Sequence, residues 1–85
     1  MYTKAADQDF PQAQCNLGVM LENGCGIAQN YVEAAQWFTK AADEGLAEAQ
    51  FKLGTMYENG RGVAKNTEVA AKWYKEAAEQ DYLGP

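Results

Sequence analysis

The chain contains no serine and no histidine. Together these absences remove Ser-His-Asp triads, Ser-x-x-Lys nucleophiles, histidine general bases and histidine metal ligands. Arginine is almost missing as well: Arg61 stands alone, and the formal net charge is -5. A nucleic-acid surface needs clustered Lys and Arg to neutralise phosphates, so no nucleic-acid partner is expected. No uncharged apolar run approaches the roughly 18 residues of a membrane span. The opening MYTKAADQDF lacks the apolar centre of a signal peptide. The chain reads as soluble, without membrane insertion.

Cysteine is scarce too. Cys15 and Cys25 are too few for the disulfide framework of a small secreted scaffold. If Cys15 lies early in a helix and Cys25 beyond its far end, a rise of about 1.5 Å per residue holds them too far apart to bridge. Two free thiols are expected, which suits a cytoplasmic setting; a periplasmic or secreted one stays open if a signal peptide belongs to a longer protein. A zinc site would have to be completed by carboxylates, so neither a metal nor a cofactor is expected. Cys25, placed after a helix C-terminus, faces the dipole end that disfavours a thiolate.

What the chain does have is alanine and a repeat. Of its 85 residues 47% are hydrophobic but only 12% aromatic, a balance that favours closely packed helices. Shifted by 36 positions, residues 10–45 align with 46–81, and about 16 of the 36 pairs are identical. Leu17 matches Leu53, Gly18 matches Gly54, Gly24 and Gly26 match Gly60 and Gly62, and Trp37 matches Trp73. The segment 1–9 continues the pattern backwards as the second helix of a preceding unit, and 82–85 reads as a truncated tail.

Each unit predicts two helices. From about Pro11 to Asn23 the apolar stripe is Ala13, Leu17, Met20 and Leu21; its copy is Ala49, Leu53, Met56 and Tyr57. From about Asn30 to Glu44 it is Ala34, Trp37, Phe38, Ala41 and Ala42, with Asn30 as N-cap and Glu33 placed for a capping box. The copy has Asn66 but replaces the glutamate with Val69, so its helix start is expected to be less well held. Between the helices, Asn23-Gly24 should end the first helix and Gly26 permit the reversal, with Ile27 returning to the core. A phosphate loop would need its glycines before a helix rather than after one. On the stripe, Trp37 and Trp73 read as core, and Trp73→Ala is expected to cost about 3–5 kcal/mol. The carboxylates Glu22, Glu58, Asp7, Asp43 and Glu79 recur at equivalent sites, which reads as a solvated face rather than an acid–base pair.

The pattern Ala…Leu-Gly…Tyr…Gly-x-Gly-Val…Ala…Trp-Tyr…Ala-Ala…Gly resembles the Sel-one-like repeat, a relative of the tetratricopeptide repeat. Departures are Leu21 for Tyr, Asn30 and Asn66 for Asp, Asp81 for the closing Gly, and the ending YLGP. The resemblance implies an all-α, α/α solenoid of antiparallel helix pairs, with about two 36-residue repeats after a partial helix. It also implies an adaptor that binds a protein or peptide on a concave groove formed by the first helices. On tetratricopeptide geometry that groove carries Gln12, Cys15, Asn16, Val19, Glu22 and Asn23, then Glu48, Phe51, Lys52, Thr55, Glu58 and Asn59. Val19, Cys15 and Phe51 would form its apolar patch, Phe51 its anchor, and the asparagines would bond a backbone. Phe51 reads equally well as a shield over the seam between helices. Two other functions stay in view. Uncapped repeat ends could stack into a homo-oligomer. A cysteine-rich branch of the family is linked to β-lactam binding and hydrolysis, although the cysteines here do not recur from unit to unit.

Overall fold

The computed structural model describes residues 10–24, 26 and 28–82. Over these residues the chain forms four helices and no strand: α1 (Pro11–Asn23), α2 (Tyr31–Asp43), α3 (Ala47–Asn59) and α4 (Thr67–Glu79). Consecutive helices pack against each other, α1 on α2, α2 on α3 and α3 on α4. This is the two-pair, all-α solenoid expected from the repeat. The preceding partial helix (1–9), Cys25, Ile27 and the last three residues of the tail lie outside the described residues.

Local chemistry sets the helix ends. Pro11 opens α1, where the N–H that it lacks would have no intrahelical partner. Gly24 and Gly60 stop α1 and α3 in the left-handed conformation, at φ 72° and 68°. Their N–H groups return to the Met20 and Met56 carbonyls. Asn30 and Asn66 then do two jobs each. Their amides donate to the Leu21 and Tyr57 carbonyls of the preceding helix, at 2.8 and 2.9 Å. Their side chains cap the following helix: Asn30 Oδ1 accepts from Glu33 N at 3.0 Å, and Asn66 Oδ1 accepts from both Glu68 N and Val69 N at 3.1 Å.

The capping-box reading is therefore corrected. Glu33 does not turn back to the Asn30 amide, because Leu21 holds that N–H; its carboxylate instead accepts from Trp37 Nε1 at 3.4 Å. Replacing it by Val69 costs the second cap nothing, and Asn66 takes two amides where Asn30 takes one.

The core is finely grained. Cys15, Ala34, Phe38, Ala41, Ala49, Met56 and Ala77 are fully buried, and Leu17, Leu21, Ala42, Leu53 and Ala70 are nearly so. Gln14 and Gln50, also one repeat apart, are the buried polar residues; Gln50 Nε2 donates to the Ala42 carbonyl at 3.3 Å and so fastens α3 to α2. Phe38 fills the centre by pressing onto Gly18, where a side chain would leave it no room. Of the expected stripe on α2, Ala34, Phe38, Ala41 and Ala42 are buried and Trp37 is not. Trp37 and Trp73 are half-buried at the core margin, with Lys40 Nζ lying 4.8 Å above the Trp37 ring. The wider indole spans from core to solvent, whereas Phe38, on the neighbouring position, points straight inward. Trp73 therefore has less to lose on truncation than a fully buried ring.

Candidate functional site

The positions singled out on the first helices fall into three groups. Gln12, Asn16 and Glu48 come together across the repeat boundary: Gln12 Nε2 donates to Asn16 Oδ1 at 3.1 Å and to Glu48 Oε1 at 3.4 Å. Thr55, Lys52 and Asn59 form a second, local chain, in which Thr55 Oγ1 donates to the Lys52 carbonyl at 2.7 Å and Asn59 Nδ2 to the Thr55 carbonyl at 3.0 Å. The Asn59 amide thus already spends a donor on its own helix. Asn23 is exposed, and Val19 is half-buried against the core.

The third group departs most from expectation. Cys15 is 0% exposed and belongs to the core, so it is no part of an apolar surface patch. Its thiol is pushed up to about 12, first by burial and then by Glu48 and Glu22 against the opposing effect of Lys52. Phe51 occupies the equivalent position one repeat later and is only half-buried. The physical reason is stacking. α3 closes over the outer side of α2, and no described helix packs on the outer side of α4. Other equivalent pairs show the same asymmetry: Phe38 is 0% exposed while Tyr74 is half-buried, and Ala35 and Ala42 are buried while Ala71 and Ala78 are exposed.

On this open side Phe51 gathers two tyrosines. Its ring centroid lies 5.2 Å from Tyr74, tilted by 54°, and 5.7 Å from Tyr82 in an edge-on arrangement. Tyr74 Oη donates to Glu58 Oε1 at 2.7 Å. Phe51, Glu58, Tyr74, Ala78 and Tyr82 line an open cavity of about 310 Å³. Gln80 Nε2, donating to Gln50 Oε1 at 2.9 Å, ties down the turn that delivers Tyr82. Tyr74 is held protonated, its pKa raised to about 12 by burial and then by the Glu58 carboxylate. Tyr82 is raised too, by burial first and then by Glu48 and Cys15. Sequence reading named Phe51 and Glu58 here but missed Tyr74 and Tyr82. The missed signal lay in the self-alignment, where Cys15, Phe38 and Leu46 become Phe51, Tyr74 and Tyr82.

The glycines do structural work. Gly18 and Gly54 are buried beneath Phe38 and Tyr74. Gly62 sits against the Tyr31 backbone at the start of α2, and Arg61 lies 5.6 Å above the Tyr31 ring. A Cβ on Gly26, the counterpart of Gly62, would meet no described residue within 4 Å. Among the described residues no group of three Cys, Asp or Glu side chains is placed to hold a metal ion, and no helix is long and apolar enough to cross a membrane.

Comparison with known proteins gives a consistent picture. The model of the Sel1 repeat matches residues 11–46 and 47–82. A Sel1 repeat protein from Oxalobacter formigenes is 47% identical, with a TM-score of 0.86 over 88% of this chain and 31% of that one. A protective antigen of uropathogenic Escherichia coli, with an SLR fold, is 43% identical, with a TM-score of 0.92 over 93% of this chain and 17% of the antigen. Helicobacter pylori cysteine rich protein B is 28% identical, with a TM-score of 0.88 over 92% of this chain and 59% of that one. The chain therefore spans less than two thirds of each of these relatives. The search of curated proteins returns no match.

Proposed function

Because the chain belongs to the Sel1 repeat family, whose members typically serve as protein–protein interaction scaffolds, we propose that it is a non-enzymatic module binding a peptide or protein segment along its first helices. The observation that carries this reading is the half-open aromatic cluster of Phe51, Tyr74 and Tyr82 beside the polar row of α1 and α3. Aromatic side chains that keep exposed area at the edge of a polar surface are the usual anchors of an interface. Around the anchor, Gln12, Asn16, Asn23, Glu48, Lys52, Thr55 and Asn59 offer donors and acceptors of both kinds, and Val19 an apolar step. Cys15 takes no direct part; it supports the helix beneath.

An adaptor also accounts for the described chemistry better than an enzyme does. The described thiol is buried and protonated, and on the surface Tyr74 donates to the Glu58 carboxylate. Neither is an activated nucleophile.

The test is a peptide-display selection against the immobilised protein, run in parallel on the double variant Phe51→Ala, Lys52→Glu. The expected result is a family of related peptides enriched by the parent and lost with the variant. Equal enrichment by both, or none, would remove the first-helix surface as the binding site.

A further inference from the structure

We draw no further inference here: the strongest candidate, the open cavity of about 330 Å³ on the exposed side of α2 between Val32, Glu33, Trp37 and Lys40, is lined by that helix and its Asn30 cap alone, and nothing in the structure shows what covers it.

Discussion

A β-carbon added at Gly18 would stand 2.7 Å from Cε1 of Phe38, inside any normal contact. The equivalent addition at Gly54 would stand 2.8 Å from Cε1 of Tyr74. Alike locally, the two sites differ in what their rings can do. Phe38 is fully buried, whereas Tyr74 is half-buried and lines an open cavity. Gly18→Ala should therefore destabilise by about 1–3 kcal/mol even after the gain in helix propensity, and Gly54→Ala by less. Urea unfolding of the two variants checks the order, and equal losses would show that Tyr74 is as confined as Phe38.

Gly62 and Gly26 separate backbone strain from crowding. Both have a positive φ, 72° and 77°. Among the described residues only Gly62 has a neighbour, the Tyr31 backbone, that an added methyl would strike. Gly26→Ala should cost about 1 kcal/mol from conformation alone. Gly62→Ala should cost clearly more, because it must also part the loop from the start of α2. Thermal midpoints measured side by side decide this.

Asp81 is the described non-glycine residue with a positive φ, 63°, where the first repeat has Gly45 at 92°. An L-residue in this conformation carries roughly 1–2 kcal/mol of steric cost, less for aspartate, whose short side chain tolerates it. Asp81→Gly should raise stability by up to about 1 kcal/mol. A lower thermal midpoint would mean that the carboxylate makes a compensating contact.

Alkaline pH should loosen the fold. Burial, with help from Glu48, raises the Cys15 thiol from 9.0 to about 12, and burial with Glu58 raises Tyr74 from 10.0 to about 12. Both groups hold their proton more tightly folded than unfolded. Their contribution is whole below pH 9 and falls away as pH climbs from 9 through 12. Denaturant midpoints across that range should decline, and less steeply in Cys15→Ala. A flat profile would show that neither group stays protonated in the folded state.

Much of this architecture was legible because a duplicated sequence carries its own control. The helix pairs, their glycine stops and the Asn30 and Asn66 caps followed from local chemistry that acts alike in both copies. What escaped was everything that depends on what lies next to a copy. Cys15 and Phe51 share a position and were assigned to one surface, yet the neighbouring pair buries the first and leaves the second half-open. Trp37 was placed in the core instead of at its margin because the 3.6-residue period cannot separate two adjacent apolar residues on the same stripe. The Glu33 capping box failed for a non-local reason, since the amide it should have reached is held by Leu21.

The double role of Asn30 and Asn66 bears on how the chain finds its fold. The bonds from Asn30 N to the Leu21 carbonyl and from Asn66 N to the Tyr57 carbonyl each join residues nine positions apart, across the loop that separates two helices. Each hairpin can thus close on contacts near in sequence, at a small loop-closure entropy. A chain with such low contact order should fold rapidly, one hairpin serving as the template on which the next condenses.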